Sequence, residues 1–472
     1  MIPISLQDAA RFMGATCSVE VGDAVVRRIT TDSRDVHPGD LFFALRGLNA
    51  DGHRFVAEAA SKGAVACVVD ERSADEVASA SYPGRPAPLL FVDDTVAALG
   101  RLGARYRSEV MDPTTVVVAV TGSNGKTTTK QMIDHVLGGS LAGRAAPKSF
   151  NNKIGVPLTL LSSEPGDRYL VVEIGTNAPG EVAALAALAS PQVGVITSIA
   201  EAHLEGLGTV VAVAEEKASL LDHVSKNGLA VVNVDREEIH SQLGRAHGKR
   251  LITFGFDVRA HRRVETLEAG LRGTRMVLDG RFAIDLPMPG PHHATNAAAT
   301  FIVAQWFGLS AERIAERLAT FQPSEGRTRV VDVGGVTIVD DAYNANPGSM
   351  AGAIAAVRSI ASRRRVFVMG DMAELGPRAH VYHERAVRTL VEAGVEVLVA
   401  VGPASIAAAE SLGASGGVTR TVRCDDAVQA CEAMALIVQD GDVVWIKGSR
   451  SMGLDRVVAA LQARVRPCAA VA

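Results

Sequence analysis

The chain has 472 residues, 47% of them hydrophobic and 21% charged, which is typical of a globular protein with more than one domain. A net charge of −4 argues against nucleic acid and anionic membranes as partners. The first residues, MIPISLQDAARF, lack a secretion-signal pattern, no apolar run is long enough to span a membrane, and the five scattered cysteines predict neither a disulfide framework nor a zinc site, so we expect a cytoplasmic protein without membrane insertion.

The first predicted domain covers residues 1–111 and has α/β character. Its strand candidates are Asp40–Leu45, Ala64–Val69 and Leu89–Val92, and a helix over Val96–Tyr106 closes it. The Asp112-Pro113 pair that follows is typical of a linker.

The second predicted domain, residues 112–325, opens with the most informative motif. An apolar strand, Val116–Val120, leads through TGSNGKTT, Thr121–Thr128, into a helix over Thr127–Leu137. Its glycines would let the backbone approach a phosphate, while helix N–H groups and the ammonium of Lys126 would attract the anion. The alternative is an ordinary glycine-rich turn with a solvated lysine, and in either case we expect Lys126 on a solvent-facing loop.

Strands and helices alternate after this loop, which predicts a mostly parallel sheet with helices on both faces. The strands are Tyr169–Ile174, Val193–Ile199 and Leu229–Val234, and the helices between them are Glu181–Ala189 and Val210–Val224. Strand-like segments from Leu251 to Leu286 indicate an antiparallel extension, and helices over His292–Trp306 and Ala311–Thr320 end the domain.

Two polar residues follow strands of this predicted sheet. Glu173 ends the apolar strand YLVVE, and His203 lies in the loop after the next strand. Ligands of such sheets bind at the carboxyl edge, so both residues are candidates for a magnesium site. Each could instead be an ordinary solvated or structural side chain.

Lys217 falls on the apolar side of its predicted helix. At about 100° per residue, Val213, Leu220 and Leu221 share its arc. A lysine in such a place usually extends its amine to solvent. The alternative is a desolvated amine with a lowered pKa, which could add CO₂ and become a carbamate that offers oxygens to Mg²⁺.

The third predicted domain, residues 326–472, alternates again and has the pattern of a Rossmann-like doubly wound sheet without a phosphate loop of its own. Its strands are Thr337–Val339, Val366–Met369, Val395–Val401 and Val443–Ile446. We expect the alanine-rich tail after Val465 to be frayed.

Several motifs in order along the chain resemble the Mur ligase family, whose phosphate loop is similar to that of the folylpolyglutamate synthases. They are TGSNGKTT, SFNNKIGVPLTL, EIGTNAPGEV, AHLEGLGT, AEEKASLL, DDAYNANPGSM, GDMAELG and KGSRSM. The N-terminal string TDSRDVHPGDLFFALRGLNADGHRF resembles the uridine-nucleotide domain of that family. The resemblance covers nearly the whole chain and implies three domains: a small uridine-nucleotide domain, a central P-loop ATPase domain and a Rossmann-like ligase domain.

The resemblance implies an ATP-dependent amide ligase of peptidoglycan precursor synthesis, acting on a UDP-N-acetylmuramoyl-tripeptide and D-alanyl-D-alanine as a monomer. ATP and two Mg²⁺ ions would be the cofactors, with Lys217 carbamylated. The implied metal ligands are Thr127, Glu173, His203 and Lys217. The implied catalytic residues are Lys126, Lys217 and Arg327. The implied ATP contacts are Gly122, Ser123, Asn124, Gly125, Lys126, Thr127, Thr128, Asn296, Arg327 and Asp341.

The substrate contacts implied by the same resemblance lie in all three domains. They are Ser33 and Arg34 for the uridine diphosphate, Asn151 and Asn152 for the muramoyl peptide, and Asn344, Asn346, Lys447, Ser449 and Arg450 for the dipeptide. One position departs from the family pattern: His293 stands where the family usually has an asparagine, which puts the adenine contact there in doubt.

Three other functions compete with this hypothesis. A folylpolyglutamate synthase is disfavoured by the block of about 110 residues before the phosphate loop. A GTPase-type switch is disfavoured because the sequence contains no N-K-x-D string for guanine. An inactive nucleotide-binding scaffold is opposed by the presence of Lys126, Glu173, His203 and Lys217 together.

Overall fold

The computed structural model describes residues 1–18, 23–47, 50–79, 87–360, 363–413 and 420–463. The tail after Val465, predicted to be frayed, lies outside these residues, as does Cys468. The other four cysteines are free thiols, in agreement with the expectation from the sequence.

Strands and helices are numbered in chain order. The strands are β1 Ile4–Ser5, β2 Thr16–Cys17, β3 Val25–Val26, β4 Arg28–Thr30, β5 Asp40–Phe43, β6 Ala66–Asp70, β7 Leu89–Val92, β8 Val116–Thr121, β9 Gly143–Ala145, β10 Tyr169–Glu173, β11 Val193–Ile196, β12 Leu229–Asn233, β13 Arg250–Gly255, β14 Arg262–Gly270, β15 Gly273–Leu278, β16 Phe282–Leu286, β17 Arg329–Val333, β18 Val336–Asp340, β19 Arg365–Gly370, β20 Val397–Val401, β21 Arg420–Cys424 and β22 Val443–Lys447.

The helices are α1 Leu6–Met13, α2 Val56–Ser61, α3 Ala74–Ser79, α4 Thr95–Glu109, α5 Lys126–Leu137, α6 Gly155–Leu161, α7 Glu181–Ala189, α8 Leu204–Leu207, α9 Val210–Ala218, α10 His292–Trp306, α11 Ala311–Leu318, α12 Pro347–Arg358, α13 Ala379–Glu392, α14 Pro403–Gly413, α15 Ala427–Ile437 and α16 Asp455–Ala463.

The central sheet carries the phosphate loop and has the strand order β16-β15-β14-β13-β12-β11-β8-β10-β9. Along this order, all neighbouring strands from β14 through β8 to β9 pair in parallel. Strands β14, β15 and β16 pair antiparallel, which confirms the predicted extension. Alternate residues of β8 pack into opposite cores, Val117 and Ala119 on one face, Val118 and Val120 on the other. Both faces are therefore covered, as the continuous apolar strands indicate.

The N-terminal sheet has the order β2-β7-β6-β5-β4, with β2 antiparallel and the rest parallel. Helix α4 connects it to the central sheet, because its buried residues share one core with α1 and with the helices α6 and α7. The Tyr106 hydroxyl on α4 also bonds to the backbone of Ile2 and Ser163. The first two sheets thus share a hydrophobic core.

The C-terminal sheet has the order β17-β18-β22-β19-β20-β21, parallel except for β17. Helices α12 and α13 cover one face, while α15 and α16 cover the other. This is the predicted doubly wound arrangement, and the three-domain α/β fold class is confirmed. The exact domain boundaries at residues 111 and 325 stay a prediction.

The predicted helix over Val210–Val224 is shorter in the structure. Helix α9 ends at Ala218, and a 3₁₀ segment covers Ser219–His223. Among the described residues, no helix is both long and apolar enough to cross a bilayer.

Candidate active site

The loop between β8 and α5 has a backbone that only glycine accommodates. Gly122 has a φ of +145° and Gly125 a φ of +80°. A Cβ at Gly122 would lie 2.1 Å from the Thr197 hydroxyl oxygen, and one at Gly125 would lie 2.3 Å from Asn296 Oδ1. The loop leads directly into the N-terminus of α5, with Gly125 at the N-cap. Free backbone N–H groups at a helix N-terminus attract anions.

Lys126 folds back over this loop. Its Nζ donates to the carbonyl of Gly122 at 2.7 Å and also to that of Ser123. The side chain is half-buried, so it is only partly exposed on the predicted solvent-facing loop. Burial lowers the pKa of Lys126, Glu173 opposes this shift, and Arg327 adds to it. The position suits a cation that neutralises a phosphate in a partly dehydrated site.

Glu173 ends β10 and is almost completely buried, with 1% of its surface exposed. Its Oε1 accepts hydrogen bonds from the Thr127 hydroxyl at 3.1 Å and from Asn151 Nδ2 at 3.0 Å. Its Oε2 lies 3.2 Å from the Nζ of Lys130. A strand-end carboxylate is thus held by residues from two other segments of the central domain, helix α5 and the loop before α6.

His203 lies at the N-terminus of α8 with a φ of +55°, a left-handed conformation that is uncommon for a non-glycine residue. Its Nδ1 is 2.6 Å from an Oε2 of Glu374, a residue of the C-terminal domain. Burial, and then the charges of Lys126 and Lys217, lower the pKa of His203, while Glu374 opposes the shift. A neutral imidazole is the form that binds a metal.

Lys217 is fully buried on α9, and its Nζ has no hydrogen-bond partner among the described residues. Burial, and then the charge of Lys126, hold the pKa of this amine well below its ordinary range. The side chain is therefore buried and does not extend its amine to solvent. Burying an unpartnered ammonium is costly, which favours the neutral form of this amine.

A cleft of about 1180 Å³ lies over the carboxyl edge of the central sheet and under the C-terminal domain. Thr127, Glu173 and His203 line it, whereas Lys217 is not among its described lining residues. The described part of the chain contains no group of three or more His, Cys, Asp or Glu side chains placed to hold one metal ion. The Thr127 hydroxyl and the Glu173 carboxylate nevertheless offer two oxygens, 3.1 Å apart. Mg²⁺, a hard cation, prefers oxygen ligands of this kind.

Arg327 reaches the phosphate loop from the domain boundary. Its Nη2 donates to the Thr127 hydroxyl at 3.2 Å, and its guanidinium carbon lies 3.8 Å from the centroid of the Tyr343 ring. Stacking on an aromatic face fixes the plane of the guanidinium. Asp341 lies nearby in the same cleft, where it pairs with Lys447 at 2.8 Å.

Asn296 and His293 occupy adjacent turns of α10 beneath the phosphate loop. The Thr129 hydroxyl donates to Asn296 Oδ1 at 3.2 Å. The His293 ring stacks on His292 at 4.0 Å between centroids, and its Nε2 has no partner among the described residues. Burial, and then the charges of His292 and Lys447, hold the pKa of His293 well below its ordinary value.

The C-terminal domain supplies the opposite wall of the cleft. Asn346 caps α12, and its Nδ2 donates across the domain boundary to Asn124 Oδ1 at 2.8 Å. The Lys447 Nζ donates to the carbonyl of Asn344 at 3.0 Å. The Ser449 hydroxyl accepts from the N–H of Ala373. Arg450 is exposed, forms an ion pair with Asp455 at 3.8 Å, and its guanidinium carbon lies 5.6 Å from the centroid of the Tyr343 ring. All five predicted dipeptide residues line the cleft.

The predicted substrate residues of the other domains differ in their placement. Asn151 and Asn152 line the cleft, and Asn152 Oδ1 caps the turn before α6. Ser33 and Arg34 are not among its described lining residues. Ser33 donates to Glu58 Oε2 at 2.9 Å, and Arg34 is largely exposed beside Asp32.

Two further polar residues of the site were not singled out from the sequence. Lys130 follows Lys126 by one helical turn, and its spacing from Ile133 and Leu137 places it on the buried side of α5. Glu374 stands within the GDMAELG string, but the string alone does not indicate contact with His203. The spacing of Lys130 from the apolar residues of α5 could have identified it from the sequence. The contact of Glu374 with His203 could not, because it depends on how the domains pack.

Comparisons with known proteins agree with this geometry. Three family models match the chain: "Mur ligase family, catalytic domain" over residues 25–107, "Mur ligase middle domain" over residues 120–304, and "Mur ligase, glutamate ligase domain" over residues 326–450. The UDP-N-acetylmuramoyl-tripeptide--D-alanyl-D-alanine ligase of Treponema pallidum is 33% identical, with 91% of this chain and 92% of that protein covered.

Solved structures give the same result. The structure of MurF from Acinetobacter baumannii has a TM-score of 0.86 and 28% identity, with 98% of this chain and 99% of that chain covered. The MurF ligase of Thermotoga maritima, solved in complex with ADP, has a TM-score of 0.79 and 27% identity, with 93% and 98% covered.

Proposed function

The chain belongs to the Mur ligase family, and we propose that it is the ATP-dependent ligase that joins D-alanyl-D-alanine to a UDP-N-acetylmuramoyl-tripeptide. The observation that carries the proposal is the meeting of two domains over one phosphate loop. Arg327 bonds to Thr127 and Asn346 bonds to Asn124, so the C-terminal domain faces the site where a nucleotide would transfer its phosphate. Ligation needs this proximity of activated acid and amine.

The reaction has two chemical steps. The terminal carboxylate of the tripeptide attacks the γ-phosphorus of ATP, which gives an acyl phosphate and ADP. The amine of D-alanyl-D-alanine then attacks the acyl carbon, loses a proton, and expels phosphate from a tetrahedral intermediate. Lys126 and Arg327 would neutralise charge on the transferring phosphoryl group, because they lie on two sides of the same loop.

Thr127 and Glu173 would hold one Mg²⁺, and His203 and the carbamate of Lys217 a second. Bound Mg²⁺ supplies charge neutralisation on the phosphate oxygens. The buried and unpartnered amine of Lys217 supports carbamate formation, since CO₂ adds to a neutral amine with loss of one proton. Within the chain, Arg327 and Asn151 orient the hydroxyl and carboxylate of the first pair.

We assign the remaining cleft residues to the ligands by their chemistry. Asn296 would meet the adenine and Asp341 the ribose, beside a phosphate loop running from Gly122 to Thr128. Asn151 and Asn152 would face the muramoyl peptide. The dipeptide carboxylate would bind among Asn344, Asn346, Lys447, Ser449 and Arg450, where cations and amide donors converge.

The N-terminal domain would bind the uridine diphosphate through Ser33 and Arg34. Closure of the C-terminal domain would exclude water from the acyl phosphate, with Gly326 and Arg327 at the hinge. We place the reaction in the cytoplasm, where ATP is available, and propose a monomer, since the cleft is built from residues of one chain.

An ADP-release screen tests the proposal. The full chain is given ATP, Mg²⁺, UDP-muramoyl-tripeptides ending in either diaminopimelate or lysine, and D-alanyl-D-alanine, with L-alanyl-L-alanine as the control acceptor. We expect ADP release that needs both partners, and a pentapeptide product by mass spectrometry. ADP release with folate and glutamate, or ATP turnover indifferent to the muramoyl nucleotide, would contradict it.

A further inference from the structure

Lys130 is a buried cation for which the reaction described above has no use. It lies on α5, one turn after Lys126, and only 1% of its surface is exposed. Unlike Lys126, it is not among the described residues that line the cleft. A lysine is rarely buried to this degree unless it is paired.

The partners of Lys130 are a metal-site carboxylate and a loop carbonyl. Its Nζ lies 3.2 Å from Glu173 Oε2, with both side chains 1% exposed. The same Nζ donates to the backbone carbonyl of Lys148, a residue with a φ of +47°. One ammonium therefore connects the end of β10 with the start of the loop over residues 148–152.

This loop also contacts the nucleotide side of the cleft. The Ser149 hydroxyl is 3.3 Å from that of Thr127, and Asn151 bonds to Glu173 through its amide and to the N–H of Gly175 through its carbonyl. One of these contacts is to Glu173 itself, and Lys130 holds both Glu173 and the Lys148 carbonyl at the start of the loop. A change at Lys130 would therefore move the carboxylate and the loop together.

We propose that Lys130 is a positioning residue that holds Glu173 and the 148–152 loop in one arrangement, and so couples the nucleotide side of the cleft to the muramoyl-peptide side. The inference deepens the proposed function and rests on it for the identity of the peptide. Removing the lysine leaves the buried carboxylate of Glu173 without this cation. Because an uncompensated buried charge is costly, we expect the carboxylate to shift from its position.

The first test uses local structure and is independent of activity. In the full-length Lys130→Met variant we expect faster amide hydrogen exchange over residues 148–152 than in the wild type. The matched control is Arg107→Met, which removes another largely buried cation, on α4 outside the cleft. Unchanged exchange over residues 148–152 in Lys130→Met would overturn the inference.

The second test is a double-variant cycle on thermal unfolding with Lys130→Met, Glu173→Gln and both together. We expect the double variant to unfold at a higher temperature than Lys130→Met alone, because no buried charge is left unpaired. The comparison with the double variant remains informative if Lys130→Met folds poorly. A double variant no more stable than Lys130→Met, or effects that simply add, would contradict the pairing.

The third test separates positioning from general stability through kinetics. For folded Lys130→Met we expect kcat/KM for the UDP-muramoyl-tripeptide to fall by roughly tenfold to a hundredfold, since small displacements of reacting groups are costly. ADP affinity, measured by calorimetry with Mg²⁺ present, should fall as well, because Glu173 lies on the nucleotide side of the cleft, whereas the Arg107→Met control should keep both values. A wild-type kcat/KM for the peptide would overturn the coupling, whereas an inactive wild type would overturn only the proposed function, and the first two tests would still decide the inference.

Discussion

The carboxyl edge of the central sheet and the Ser33–Arg34 segment of the N-terminal domain hold charge in opposite ways. At the sheet edge, Glu173 is 1% exposed and accepts from Thr127 and Asn151. In the N-terminal segment, the Arg34 side chain is 85% exposed and pairs with Asp32, two residues away. The first arrangement is held by distant parts of the chain, whereas the ion pair of Arg34 is local.

This difference matches the work that each region would do. Charges that act on a transition state are most effective when they are fixed before the reaction and shielded from water. Charges that only bind a ligand can stay solvated and reorient. Changes at the sheet edge should therefore lower kcat, whereas changes in the N-terminal segment should raise KM.

The largest effect is expected at Lys217. Lys217→Ala should abolish turnover, because the buried amine would be lost as a carbamate ligand, and a small carboxylic acid in the buffer should restore part of it. Lys217→Arg should not rescue, since a guanidinium keeps its charge and does not take up CO₂. Depleting CO₂ should inactivate the wild type, and bicarbonate should restore it. The control is Lys226→Ala, at an exposed lysine; normal activity in Lys217→Arg would exclude the carbamate.

The next largest effect is expected at Lys126. Lys126→Ala should lower kcat by about a hundredfold to a thousandfold, because its charge acts on the developing phosphoryl charge. The loop also loses the bond to the Gly122 carbonyl, so circular dichroism and thermal unfolding should accompany the ADP-release assay. Near-normal turnover in a folded variant would remove the phosphate-loop assignment.

A smaller effect, and on a different parameter, is expected at Arg34. Arg34→Ala should raise KM for the UDP-muramoyl-tripeptide by roughly tenfold and leave kcat unchanged, because an exposed charge would contribute to binding alone. Arg54→Ala, at another exposed arginine of the same domain, is the control. A fall in kcat at constant KM would break the contrast between the two regions.

The smallest effect is expected at Asn346, which contacts the phosphate loop across the domain boundary. Asn346→Ser keeps a helix-capping side chain for α12 but loses the bond to Asn124 Oδ1, a neutral hydrogen bond worth about 1 kcal/mol. We expect a severalfold lower kcat/KM and a larger radius of gyration by small-angle scattering with ADP bound. Equal scattering for variant and wild type would show that this contact does not hold the domains closed.

Several elements follow directly from local sequence patterns. The helix over Glu181–Ala189 and the strand over Leu89–Val92 begin and end in the structure at the residues predicted. The strands β2 and β4 were not predicted, because two or three residues are too few for a period to show. The helix at Val210 ends earlier than predicted, since the apolar spacing continues through a 3₁₀ segment.

The sequence by itself determined the phosphate loop and the order of the three sheets. These features depend on residues that are close in sequence, such as a glycine without a Cβ, a run of β-branched residues or a helical period of apolar residues. Only the tertiary structure decided which distant residues meet. His203 and Glu374 are 171 residues apart, and Asn124 and Asn346 are 222 apart. Such contacts depend on how whole domains pack, because no local pattern of residues specifies the distance between two domains.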